Sequence, residues 1–126
     1  MNEIASFDVL ERTPIVRAAI GGELDMSNAA ELEATILGAV SNETTGMVLD
    51  LSGVTYIDSA GIRLLLTLVG RFRWRGQQLA LLATPGSRAR RVIELAGAHD
   101  ALAVDDDAAM ALARLGASAN GPDLGP

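Results

Sequence analysis

Asp58 and Ser59 stand side by side in "TYIDSAGIRLLL", residues 55–66, where a strand-like apolar run gives way to a helix-like one. A carboxylate beside a hydroxyl supports two kinds of chemistry. One is structural: either side chain can cap the following helix, accepting from a free backbone N–H and contributing about 1 kcal/mol. The other is reactive: a rigid strand end can display a hydroxyl at a surface corner, and such loops are the usual sites in folds of this kind. The two uses are compatible. "GGELD", residues 21–25, repeats the arrangement, with Asp25 after one strand-like run and before a helical one. Parallel strands would bring both C-terminal ends to one sheet edge, making Asp25 and Ser59 neighbours in space.

Hydrolysis by Ser59 fits poorly. A nucleophile elbow needs Gly-x-Ser-x-Gly, and Ile57 occupies the first Gly position. The only histidine, His99, lies beside an expected helix end and shows no triad order. A Walker phosphate cradle needs a lysine, and the chain has none. The absence of cysteine removes disulfides, thiol catalysis and Cys-based zinc sites. Asp105 to Asp107 read as acids at a helix start and not as a metal site. No metal and no cofactor is expected.

The elements that must position these residues follow from periodicity. "FDVLER" and "IVRAAIGG" read as two strands, with a turn at Thr13-Pro14 and an end at Gly21 and Gly22. A helix is expected from Asn28 to about Val40, opened by an Asn28–Glu31 capping box. "MVLDLS" reads as a buried strand. A second long helix runs from about Ala60 to Arg75, with Ile62, Leu65, Leu66, Val69 and Phe72 as its core stripe and Leu64 and Leu68 on a flank. "QLALLA" is a further buried strand. "TPGSRARRVIELAG" opens a helix with Thr84 as cap and Pro85 as first residue. "ALAV" reads as a short edge strand, and "DDDAAMALARL" as a last helix. Residues 116–126, rich in Gly and Pro, read as a disordered tail.

Arg71, Arg73 and Arg75, and likewise Arg88, Arg90 and Arg91, read as solvated faces. Trp74 reads as rim packing of the core. The chain has 126 residues, enough for one domain at 1–115. Its net charge of -6 opposes binding to nucleic acid or anionic membranes. "MNEIASFDVLERTP" lacks the basic and apolar regions of a signal peptide, so a cytoplasmic protein is expected. The alternation of elements implies an α/β fold: a mixed sheet of 4–5 strands, an N-terminal hairpin followed by parallel strands, packed with about four helices.

"GELD" at 22–25 and "MVLDLSGVTYIDSAGIRLLL" at 47–66 resemble the STAS-domain anti-sigma factor antagonists of the SpoIIAA and RsbV type, and "TPGSRARRVIELAG" is similar to that family's later helix. The likeness covers about residues 7–115. It implies a STAS-like fold and a non-catalytic module that sequesters an anti-sigma factor, itself a serine kinase. Phosphorylation of the serine at the start of the second helix, here Ser59, would release that partner, and a serine phosphatase would reset it. Ala60 stands where relatives often carry a second serine. Asp25 matches an acidic residue near the family's site. The partner surface expected comprises Asp25, Asp58, Ser59 and Ala60; Leu64 and Leu68, on the flank of the same helix, read either as apolar contacts with the partner or as covered by a neighbouring helix. A monomer or weak homodimer is expected. The alternative within the same fold is a scaffold subunit, for example on a transporter ATPase, without a phosphorylation switch.

Overall fold

The computed structural model describes residues 6–11 and 14–124. Thr13 of the expected Thr13-Pro14 turn therefore lies outside the described residues, as does the start of the N-terminal stretch. The elements in chain order are β1 (Ser6–Glu11), β2 (Ile15–Leu24), α1 (Ala29–Gly38), β3 (Gly46–Ile57), α2 (Ser59–Trp74), β4 (Gln78–Leu82), α3 (Arg88–Leu95), α4 (His99–Leu102) and α5 (Ala108–Leu124). The strands form one mixed sheet in the order β1-β2-β3-β4. β1 and β2 pair antiparallel, and β2–β3 and β3–β4 pair parallel. The expected hairpin and crossover topology is what forms.

The sheet has two unequal covers. One face carries the main core: Val16, Ile20, Leu49 and Leu51 from the strands meet Ile36 of α1, Leu65, Leu68 and Phe72 of α2, and Ile93 of α3. Each such side chain fully removed from water contributes about 1.5–3 kcal/mol. On the other face α5 alone packs Ala111 and Leu115 against Val48, Ala80 and Leu82. β3 is therefore apolar on both sides over Met47–Leu49, as a central parallel strand must be.

Several expected boundaries move. β2 does not stop at Gly21 and Gly22 but continues to Leu24. Register shifts flank these glycines, and Gly22 adopts φ 86°, a conformation open to glycine, so the pair forms an irregularity inside the strand. β3 runs on past Ser52 to Ile57. "ALAV" is not an edge strand: His99–Leu102 form a short helix, and only Asp105 makes an isolated bridge, to Leu82. A run of alanine and leucine suits a helical turn at least as well as a strand. Ser87, not Thr84, caps α3, its hydroxyl accepting from Arg90 N. Gly86, with φ 86°, turns the chain first, which leaves Pro85 outside the helix. α5 spans Ala108–Leu124, beyond the expected end of the last helix at Leu115.

Charged side chains fasten the periphery. Arg114 holds the buried carboxylate of Asp105 through two hydrogen bonds of 2.7 and 2.8 Å. Those bonds raise the Arg114 pKa above its ordinary value against the opposing effect of burial. Arg90, only 13% exposed at its side chain, donates to Asp106 and to the carbonyl of Ala83, both at 2.8 Å, so it clamps α3 to the segment leading into α5. It is thus not the solvated charge its spacing suggests. Arg71 pairs with Glu33 on the surface.

Candidate functional site

The parallel pairing of β2 with β3 sets Leu24 opposite Ile57. The next residue of each strand is an aspartate, so Asp25 and Asp58 emerge together at one sheet edge. Asp58 is the N-cap of α2, with extended backbone, and its Oδ1 accepts from Gly61 N at 3.0 Å. Its other oxygen accepts from Met26 N at 3.3 Å, and its own N–H donates to the carbonyl of Leu24 at 3.3 Å. One carboxylate thus starts a helix and ties two strand-to-helix junctions together. That resolves the choice between Asp58 and Ser59 as the cap.

Ser59 is the first residue of α2 and is exposed. Its hydroxyl makes no hydrogen bond among the described residues. The backbone N–H groups of Ser59 and Ala60 likewise have no acceptor there, because Asp58 serves Gly61 and Ile62. Two unsatisfied donors at the positive end of a 16-residue helix lie beside one free hydroxyl. Arg63 is exposed one turn further along and has no described partner.

Asp25 is differently employed. Its Oδ1 accepts from Ser27 N at 2.9 Å and from the Ser27 hydroxyl at 2.6 Å. Asn28 points back into the protein, where it is 7% exposed; Asp25 N donates to its Oδ1, and its Nδ2 donates to the carbonyl of Glu23. Asn28 therefore precedes α1 without capping it through its side chain, and no capping box forms.

Two expected partner contacts are corrected. Leu64 and Leu68 are 4% and 0% exposed and belong to the protein's own core. The buried arc of α2 is Gly61, Leu64, Leu65, Leu68 and Phe72. The expected stripe lay on the opposite edge of Leu65, where Ile62 and Val69 are only partly buried and Leu66 is 40% exposed. Gly61 explains the rotation: a Cβ there would lie 2.7 Å from both the Leu24 carbonyl oxygen and Ile57 Cγ1. Its missing side chain lets that edge of α2 press against the sheet. The exposed large apolar groups on the flanking segments are Met26, 75% exposed, Tyr56, 48% exposed, and Leu66. Trp74, at the far end of α2, is also exposed and does not pack on the core rim. Met26, Gly61 and Arg63 are parts of the site that sequence reasoning missed. The signal for Gly61 was its place in "IDSAGI"; Met26 carried none.

Among the described residues no group of His, Cys, Asp or Glu could hold a metal ion, and no helix is long and apolar enough to cross a membrane.

The family model described as Mlab, STAS domain matches residues 11–116, and the chain belongs to this STAS family. It is 33% identical over 90 residues to the anti-sigma-F factor antagonist RsfB of Mycobacterium tuberculosis H37Rv, an alignment covering 71% of each chain. Among solved structures it resembles an anti-sigma factor antagonist from Mycobacterium paratuberculosis, with a TM-score of 0.75 at 22% identity, over 91% of this chain and 98% of that one. It also resembles the unphosphorylated form of the anti-sigma factor antagonist SpoIIAA, with a TM-score of 0.63 at 20% identity, over 82% of this chain and 89% of that one. These two structural likenesses establish a shared fold.

Proposed function

We propose that this protein is an anti-sigma factor antagonist, a binding module that sequesters an anti-sigma factor with serine kinase activity and lets it go when Ser59 is phosphorylated. The observation that carries this reading is the exposed, unbonded Ser59 hydroxyl next to two free helix N–H groups. The RsfB relationship supports the class of partner. The docking surface is centred on Ser59 and includes Asp25, Asp58 and Ala60, with Met26 and Leu66 as apolar contacts in place of Leu64 and Leu68.

Phosphorylation adds about 1.5–2 negative charges and three acceptor oxygens. The free N–H groups of Ser59 and Ala60, the helix dipole and Arg63 offset that charge within the protein. A partner surface shaped for a hydroxyl lacks that compensation. It must desolvate a phosphate beside the Asp58 carboxylate, at a cost of several kcal/mol, and every ~1.4 kcal/mol is tenfold in affinity. A serine phosphatase restores the binding form. The reading is tested by incubating the protein with its cognate kinase and Mg-ATP and mapping the phosphate by mass spectrometry. Label on Ser59, absent from Ser59→Ala, is expected. Label only on other residues would overturn the switch, and capture of a transporter ATPase in place of a kinase-like protein would establish the scaffold alternative.

A further inference from the structure

A cleft opens at the other pole of the sheet, near the N-terminal ends of β3 and β4 and away from the edge where sites in such folds usually form. Thr45, Gln78 and the C-terminal turns of α2 bound it on one side, and α4 with Ala103 and α5 bound it on the other. Its volume is about 670 Å³, within the roughly 300–1,000 Å³ typical of small-molecule sites. Val69, Leu79, Leu102 and Leu115 give it an apolar lining, and none of its described lining residues is acidic.

Three further observations converge there. Arg73 and Arg114 both line the cleft. Arg114 is already neutralised by Asp105, whereas Arg73 has no carboxylate partner among the described residues. The cleft therefore offers one uncompensated positive charge. Gln77, also in the lining, donates its amide to the carbonyls of Ser41 and Thr44, both at 2.9 Å. Both amide hydrogens are thereby committed and the Oε1 is shut off from solvent, so Gln77 is a fixed wall of the cleft and does not bond an occupant. Ala103, on the rim, is the one described non-glycine residue with positive φ, at 54°. Ala103 is the C-cap of α4, its N–H bonded to the His99 carbonyl, so this left-handed residue ends the short helix at the rim.

We infer that this cleft is a binding site for a small amphipathic monocarboxylate, with its carboxylate on Arg73 and its apolar body against Val69, Leu79 and Leu115. A single free cation matches a single negative charge, and a polyphosphate would bring more charge than the cleft compensates. Ser59 lies about 21 Å away along α2, from 14 residues at 1.5 Å each, so an occupant does not touch the Ser59 surface.

The test is titration of the ¹⁵N-labelled full chain with sodium octanoate, octanamide and inorganic phosphate, followed by amide chemical shifts. Octanoate is expected to give saturable shifts at Gln77, Gln78 and Ala103. Octanamide, and octanoate with the Arg73→Gln variant, are expected to bind at least fivefold more weakly. Arg73 is exposed and unpaired, so the variant's other resonances should stay in place. Three results would each overturn the assignment: no saturable shifts around the cleft, octanamide or Arg73→Gln binding as tightly as octanoate to the native chain, or phosphate alone matching octanoate.

Discussion

The β2–α1 and β3–α2 junctions start from the same material and end differently. Each leaves a parallel strand through an aspartate and reaches a serine within two residues. At β2–α1, three residues, Met26 to Asn28, intervene between Asp25 and the helix, and the Asp25 carboxylate captures both the N–H and the hydroxyl of Ser27. At β3–α2 the strand ends at Ile57 and the helix begins at Ser59, so Asp58 is the whole connection. Its carboxylate is committed to Gly61 and Met26, and the serine hydroxyl is left unbonded. Residue type does not decide whether a serine is available for modification. What decides it is the number of turn residues over which the aspartate must spread its hydrogen bonds.

Substitutions can break this comparison, and the largest effect is expected from Gly61→Ala. The new Cβ meets backbone oxygen of the first junction, so α2 must retreat, and overpacking of this kind costs about 1–3 kcal/mol. Urea unfolding measures it, and an unchanged midpoint would show that close approach does not hold the two junctions together. Next is Ser59→Asp, expected to weaken binding to the cognate kinase at least tenfold, about 1.4 kcal/mol, in a calorimetric titration. Ser59→Ala should bind as the native chain does. Asp58→Ala removes the cap and the Met26 tie and should cost about 1 kcal/mol of stability. Asp25→Ala tests the other junction and should leave the α2 cap intact. The smallest pair sharpens the contrast. Ser27→Ala loses a hydrogen bond and should cost about 0.5–1 kcal/mol, whereas Ser59→Ala should change stability by no more than about 0.5 kcal/mol. Equal costs would mean that the Ser59 hydroxyl is not free.

Element order, the hairpin and the parallel crossovers were legible because the apolar run at Met47–Leu51 is too short for a helix, whereas Ile62–Phe72 keeps a helical repeat over three turns. The Asp58-Ser59 junction was legible because polar residues between two apolar runs have few places to go. The face of α2 was harder. Leu64, Leu65 and Leu66 are consecutive, so either edge of Leu65 gives an acceptable helical stripe, and a contact 37 residues away in sequence, Gly61 against Leu24, makes the choice. Met26 gained its place only when the sheet register brought its N–H to Asp58. The misplaced "ALAV" strand and Thr84 cap share a cause. Short stretches carry too few residues for local preference to outvote the neighbours they pack against.

The unbonded Ser59 hydroxyl also has a kinetic meaning. Nothing has to open before an incoming active site can reach it, because no internal hydrogen bond is broken and no element is displaced. Under the proposed switch, the rate of marking at this atom is therefore governed by encounter and by the chemistry of the visiting kinase. The microsecond-to-second openings that limit access to groups held inside a fold do not enter. Stabilising the domain is expected to leave the rate of such marking unchanged, so durability and the speed of switching off can vary independently.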